Sequence, residues 1–307
     1  MKSKTIRPLA LISTITAFAA GSAFAATYQW DGGAGTPNWS DGNNWNPNIA
    51  TVYPTGFPVF NNAPTGQAHR LNVNGAQALT YAAAQGSTLY ANTAGRGLVI
   101  GSGTLGSGTM NITGGTFSTL GSTAQDILGN TTGNSGTLNI DGGNFISTNL
   151  GLDAGLGFGT TALLSVKNGT ATIAELRTNN TTTTVNLETG GTLSMNKLTY
   201  LGGGDNIFNF NGGTLKARIP STTFIATPAS GNTNLNVKSG GAVIDTNSVD
   251  ITIARPLLED ALSTGGGITK NSAGILSLGA VSTTTGAAVV NAGGLAVTAG
   301  INSWQPS

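Results

Sequence analysis

Between residues 108 and 243 one arrangement of apolar and polar positions recurs six times. The cassettes are GTMNITGGTF (108–117), GTLNIDGGNF (136–145), LLSVKNGTAT (163–172), TVNLETGGTL (184–193), IFNFNGGTLK (207–216) and NLNVKSGGAV (234–243). Each places a small polar residue between two apolar ones, then a glycine turn, and usually another apolar residue two positions later. Alternation with period two marks a strand with one buried face. It points Met110/Ile112, Leu138/Ile140, Leu164/Val166, Val185/Leu187, Phe208/Phe210 and Leu235/Val237 inward. Glycine accepts the positive φ that other residues resist, so the chain turns there. Phe117, Phe145, Leu193, Leu215 and Val243 are then expected to face inward on the next strand.

The central polar residues are Asn111, Asn139, Ser165, Asn186, Asn209 and Asn236, separated by 28, 26, 21, 23 and 27 residues. That loose period is in the range of a solenoid coil. The expected fold class is therefore all-β: a parallel β-solenoid (β-helix), one coil per repeat, rising about 4.8 Å per coil. A twisted β-sandwich is the alternative, but it would not need the same cassette six times.

Two outward columns follow from this stacking. The Asn/Ser column reads either as a ladder of amides bonded coil to coil or as a stripe that meets a glycan or ordered water. The next column is Thr113, Asp141, Lys167, Glu188, Asn211 and Lys238. In register, Lys167 falls between Asp141 and Glu188, where opposite charges stabilise mildly. Carboxylate-pair hydrolysis would instead need two acids converging across a cleft.

A solenoid has open ends that must be covered, and YQWDGGAGTPNWSDGNNWNP (28–47) precedes the first coil. Trp30, Trp39 and Trp45 can each cover a large apolar area, which predicts an N-terminal Trp-rich cap. The rival is a glycan platform made by the same three rings, with Tyr28 and Tyr53 near. Asp31 and Asp41 lack the regular alternation of a calcium loop, and no metal or cofactor is expected. At the other end, PLLEDALS (256–263) predicts a short helical turn starting at Pro256.

Residues 1–25 read as an export signal: Lys2, Lys4 and Arg7, then LALISTITAFAA, then a small-x-small site at Ala23-Phe24-Ala25. No later segment reaches about 18 uninterrupted apolar residues, so no transmembrane helix is expected in the mature chain. The organisation is thus a signal peptide (1–25), a cap with irregular strands (26–90), solenoid repeats (91–262) and a C-terminal coil (263–307). The mature chain carries ten basic and twelve acidic residues, a net charge of −2 with His69 neutral. Only 8% of the chain is charged, and ten scattered cations make no face for nucleic acid. With no cysteine, stability outside the cytoplasm rests on burial and backbone pairing.

Candidate catalytic residues are few. His69, the single histidine, lies outside the repeats, and no Gly-x-Ser-x-Gly elbow accompanies it. The compact charged spots are Glu175 with Arg177 and Lys216 with Arg218, each pair sharing a strand face. They read as lyase groups or as coil-to-coil pairs. A cleft gathering three or more of Glu175, Arg177, Lys197, Lys216 and Arg218 would favour an enzyme. Exposed coplanar Trp rings would favour a binder, and dispersed charges a scaffold.

GGGITKNSAGILSLGA (265–280), followed by GAAVVNAGGLAV (286–297), resembles the autotransporter-associated β-strand repeat. Gly267, Ile268, Lys270, Gly274, Leu276 and Leu278 fit the first part of that pattern; Val290, Asn291, Ala292, Gly293 and Leu295 fit the second. Ser272 stands where the first of two paired glycines is usual, and Gly279 falls one position early. The central cassettes and the opening Trp30-Asp31-Gly32, NWSDGNNW and Pro58-Val59-Phe60 are similar to AidA-type passengers. The resemblance implies a β-helical passenger, secreted or displayed at the outer-membrane surface of a Gram-negative-type bacterium. It implies an adhesin-like role toward surface glycans or extracellular matrix, and it carries no catalytic residues. Autotransporters end in a translocator barrel, and no barrel-length series follows here. The expectation is a released protein, one anchored by another chain, or a fragment.

Overall fold

The fold comes from a computed structural model, which describes residues 107–119, 126–129, 133, 135–148, 152–154, 161–178, 182–200, 204–227 and 232–298. Before them it describes Asn43 and the strands Thr27–Trp30, Trp45–Asn46, Phe57–Phe60, Leu71–Val73, Gln77–Ala82, Thr88–Tyr90 and Leu98–Ile100. The expected signal, Trp39, Asp31, Asp41 and His69 lie outside the described residues.

The chain is a parallel β-solenoid. The cassette strands Gly108–Gly114, Ser135–Asp141, Thr161–Lys167, Thr182–Glu188, Asp205–Asn211 and Asn232–Val237 are consecutive neighbours in one sheet. Their register aligns cassette on cassette: Met110 beside Leu138, then Leu164, Val185, Phe208 and Leu235. All six are buried, as are Ile112, Ile140, Val166, Leu187, Phe210 and Val237 on the neighbouring inward column. Each such side chain withdrawn from water contributes about 1.5–3 kcal/mol, so the stacked columns are the main source of stability.

Each turn has three sides. After the glycine turn the chain forms a second side, through Thr116–Ser118, Asn144–Ser147, Thr170–Thr178, Thr192–Tyr200, Thr214–Ala217, Ala242–Asp245, Ile268–Asn271 and Ala288–Val290. A third side runs through Leu98–Ile100, Asp126–Leu128, Leu152–Ala154, Ser221–Ile225, Ile251–Ile253, Ile275–Leu278 and Gly294–Val297. Two turns build their second and third sides from one nine-residue strand, Thr170–Thr178 and Thr192–Tyr200. These are the turns whose cassette spacing drops to 21 and 23 residues. Coil length is thus set by whether the chain bends between those sides or runs straight through.

Phe117 and Phe145 face inward on the second side and stack at 6.2 Å between ring centroids. Leu193 and Leu215 are inward as well. Val243 is a correction to the expected pattern. It is turned outward, while Ala242 and Ile244 are buried and Ile244 aligns with Leu215. Phe210 to Leu215 spans five residues and Val237 to Ile244 seven; the even difference keeps the phase, so stacking Ile244 on Leu215 leaves Val243, one position away, facing outward.

The segment 256–263 is a second correction. No helical turn forms there. Leu257–Glu259 is a strand paired with Asn232–Val237, and Leu257 stacks fully buried beside Leu235. Extending the apolar column outweighs the local helix signal after Pro256.

Turn geometry demands glycine where two rungs nearly touch. A Cβ on Gly191 would sit 2.2 Å from the Val166 carbonyl oxygen, and Gly190 has φ +77°. In the third cassette Asn168 takes the left-handed position instead, at φ +47°, which asparagine tolerates better than most residues.

At the N-terminal end, Thr27–Trp30 pairs in parallel with Phe57–Phe60 and antiparallel with Trp45–Asn46. Those two strands close the first sheet, and Trp30 lies opposite Trp45 across the antiparallel pair. Parallel rungs continue without a break across residues 90 and 262. Among the described residues no helix is long and apolar enough to cross a membrane.

Candidate functional site

The long strands Thr170–Thr178 and Thr192–Tyr200 lie side by side with Glu175 opposite Lys197 and Arg177 opposite Thr199. Period two sends all four outward on one face. Arg177 donates to Glu175 Oε2 from Nε at 2.9 Å and pairs with it through Nη2 at 2.8 Å. Lys197 Nζ is 3.0 Å from Oε1, to which the Thr199 hydroxyl also donates. Burial alone would raise the Glu175 carboxyl; bonds from Thr199, Lys197 and Arg177 outweigh it and hold the group below its ordinary value. Three of the five charged candidates therefore gather here, the number expected of an enzyme, but as mutual ion pairs along one strand face and not across a cleft. Lys216 is separate, paired with Asp245 at 3.4 Å.

This arrangement is a poor proton acceptor. Both carboxylate oxygens are engaged by cations, and a depressed pKa weakens a general base at neutral pH. Among the described residues no group of three or more His, Asp or Glu side chains is placed to hold a metal ion.

Beside the charged group is an open cavity of about 230 Å³, lined by Lys197, Leu198, Thr199, Tyr200, Thr223, Ala226 and Thr227. Tyr200, one of the lining residues, also packs against the core. Behind it, where the third side turns into the first, the inward column changes from apolar to polar: Ala162, Thr183, Asn206 and Thr233 on successive rungs. Five buried side-chain polar atoms among the described residues have no protein partner. Four of them, Thr178 Oγ1, Tyr200 OH, Asn206 Oδ1 and Thr233 Oγ1, belong to this corner, where Tyr200 OH and Thr233 Oγ1 face one another. Arg255 donates to the Thr233 carbonyl from Nη2 at 2.6 Å and Nε at 3.2 Å. Burial raises the Tyr200 phenol, while Thr233 and Arg255 act in the opposite sense.

The Asn column is a ladder over most of its length. Asn139 donates to Asn111 Oδ1 at 2.9 Å, Asn209 to Asn186 at 2.8 Å and Asn236 to Asn209 at 3.1 Å. The charged column beside it is half as expected. Lys167 pairs with Asp141 at 3.7 Å, but Glu188 instead accepts from Asn211 Nδ2 at 2.7 Å. An amide one rung on competes successfully for that carboxylate. Trp30 and Trp45 are brought together by strand pairing; Trp39 lies outside the described residues.

Sequence reasoning missed Tyr200, Arg255 and the buried side chains Asp126 and Lys270. For Lys270 the signal was present: alternation through Ile268-Thr269-Lys270-Asn271 puts the lysine on the isoleucine face, and it is fully buried. For Tyr200 no local pattern announces a corner, because corners form where strands of different turns meet. Compared with models of protein families, with curated proteins and with solved structures, the chain has no significant match among any of the three.

Proposed function

We propose that the chain is a secreted or cell-surface β-helical protein without catalytic activity, structural or adhesin-like and of the autotransporter-passenger type. Its long sides serve as the contact surface for surface glycans or extracellular matrix. The observation that carries this reading is the internal use of the flank charges. Glu175 is saturated by Arg177, Lys197 and Thr199, and Lys216, Lys167 and Lys238 are paired with Asp245, Asp141 and Asp260 on neighbouring rungs. Charges arranged this way hold turns together, and none of these paired groups is poised as an acid or base. The resemblance of the C-terminal repeat and of the leader 1–25 supports export. The pairing of Trp30 with Trp45 in the strands that end the first sheet supports the cap over the glycan platform.

Two measurements test this. Epitope-tagged protein in a Gram-negative host should be reached by protease added to intact cells or recovered from the medium; retention in the cytoplasm would refute export. Purified protein incubated with polyuronates and neutral polysaccharides should release neither unsaturated products nor reducing ends. Release that disappears in Glu175→Gln would establish the lyase alternative instead.

A further inference from the structure

The turn that follows each cassette needs a residue at positive φ. Gly142, Gly190 and Gly212 supply it at φ +102°, +77° and +83°, and in the third cassette Asn168 does so at φ +47°. The next position is fixed as glycine, since a Cβ on Gly169 would sit 2.4 Å from the Gly143 carbonyl oxygen and 2.9 Å from the Ile140 side chain. Filling the left-handed position with asparagine, which tolerates it, therefore places Asn directly before an obligatory glycine. That dipeptide is chemically labile, because glycine has no side chain to shield its amide nitrogen from the neighbouring side-chain carbonyl carbon.

Among the described residues Asn precedes Gly in one other place, Asn211-Gly212, and the two pairs are held differently. Asn211 donates from Nδ2 to Glu188 Oε2 at 2.7 Å, and its Oδ1 accepts from the Gly240 amide at 3.2 Å. The Gly212 amide donates to the Gly241 carbonyl at 2.9 Å. There the attacking nitrogen and the attacked group are both tied. Asn168 is exposed, and its side chain makes one bond, from Nδ2 to Asp141 Oδ1 at 2.9 Å. The Gly169 amide has no acceptor among the described residues.

We propose that Asn168 is a self-modification site, where the Gly169 amide nitrogen attacks the side-chain carbonyl carbon and expels ammonia. The Gly169 N–H proton leaves with the departing amide group as NH3, and the new C–N bond closes a five-membered imide. Water, the only co-reactant, then opens either ring carbonyl and leaves aspartate or isoaspartate at position 168. The product loosens the stack. A carboxylate then faces Asp141 where an amide had donated to it, and like charges at such a contact destabilise. Lys167, 3.7 Å from Asp141, offsets part of that repulsion. Isoaspartate also adds a backbone atom to a turn whose next residue has no room for a Cβ. The chemistry needs no partner, so it holds whatever the long sides contact.

The test is peptide mapping by mass spectrometry of the purified mature chain, kept folded in warm, mildly alkaline buffer. Trypsin releases residues 168–177 and 198–216 as separate peptides, and fragmentation assigns the converted position in each. Conversion at Asn168 is expected to be at least about tenfold faster than at Asn211, the rate equivalent of one hydrogen bond broken before attack. In concentrated urea, where both turns are lost, the two should convert at similar rates, which assigns the contrast to the fold. Equal rates in the folded chain would overturn the proposal. So would an Asn168 that stays intact when folded while Asn211 converts in urea. Asn168→Asp installs one product and should lower the urea midpoint; a midpoint equal to wild type would overturn the loosening of the stack.

Discussion

Lys270 donates from Nζ to the carbonyl oxygen of Ala292, 2.9 Å away and one turn further along the solenoid. The same ammonium donates to Thr246 Oγ1 at 3.0 Å and to the Ser272 carbonyl. All three protons of a fully buried cation are thereby used, which offsets a desolvation cost that would otherwise be large. Asn291 Nδ2, beside Ala292, donates to Asn271 Oδ1 at 2.7 Å. Gly293 is required at this contact, since a Cβ there would lie 2.6 Å from Lys270 Nζ and 2.2 Å from the Gly274 carbonyl oxygen. The lysine of the first half of the C-terminal motif and the Asn-Ala-Gly of its second half are thus two sides of one inter-turn clasp.

Replacing Lys270 by Met should destabilise the chain by about 1–3 kcal/mol, because the Ser272 and Ala292 carbonyls lose their donor. Gly293→Ala should destabilise it too, adding the strain of a non-glycine residue at φ +73°. Urea unfolding curves check both; a Lys270→Met midpoint equal to wild type would mean that apolar packing replaces the clasp.

Ser272 occupies the left-handed region at φ +66° while its hydroxyl donates to Asp245 Oδ1 at 2.5 Å. Ser272→Gly gains backbone freedom and loses the bond, so its stability should stay within about 1 kcal/mol of wild type. Ser272→Ala keeps the strain and loses the bond. It should be the less stable of the two, and thermal melts of the pair decide the order.

Asp126 is buried on the third side, where it accepts from the Leu98 amide at 2.8 Å and from the Thr119 and Ser147 hydroxyls at 2.6 Å each. Asp126→Ala removes the carboxylate that three buried donors share and opens a void. A loss of at least about 2 kcal/mol is expected, with Asp126→Asn intermediate. Denaturant unfolding measures both.

Acid should loosen the solenoid through particular carboxylates. Burial alone would raise Asp245, but Ser272, the Asn247 amide and Lys216 hold it below 3.8; Glu175 is likewise held below 4.5. At Glu259 the Gly265 amide and the Thr285 hydroxyl lower it from the same value. Folding favours the ionised form of all three. Their stabilisation is therefore fully present above the ordinary carboxylate values and is lost as pH falls through the depressed ones. The urea midpoint should be flat from pH 6 to 8 and fall below about pH 4. Glu175→Gln should lower the neutral-pH midpoint and make that fall shallower.

Much of the fold was legible because burial in a strand is a local property. Period-two alternation around Asn111, Asn139 and Asn209 identifies the inward residues without any knowledge of neighbours, and equal cassettes stack in register. Where a signal depended on length, it slipped. Val243 faces out because Ala242 and Ile244 on either side of it take the inward positions, and Leu257 joins a strand although the residues after Pro256 carry helix-start chemistry. The third side went unread because its strands are mostly short and carry no cassette of their own.

The candidate site was legible only as a list of charges. That Glu175 and Arg177 share a face follows from their spacing. That Lys197 and Thr199 complete the group depends on a turn whose second and third sides run straight, which brings residues 22 and 24 positions apart into contact. Tyr200, Thr233 and Arg255 meet across three turns. The sequence by itself determined the solenoid, its dry columns and the glycine turns, since each is written in the alternation of adjacent residues. Tertiary structure alone decided which outward groups meet, because that depends on the length and bend of every intervening coil.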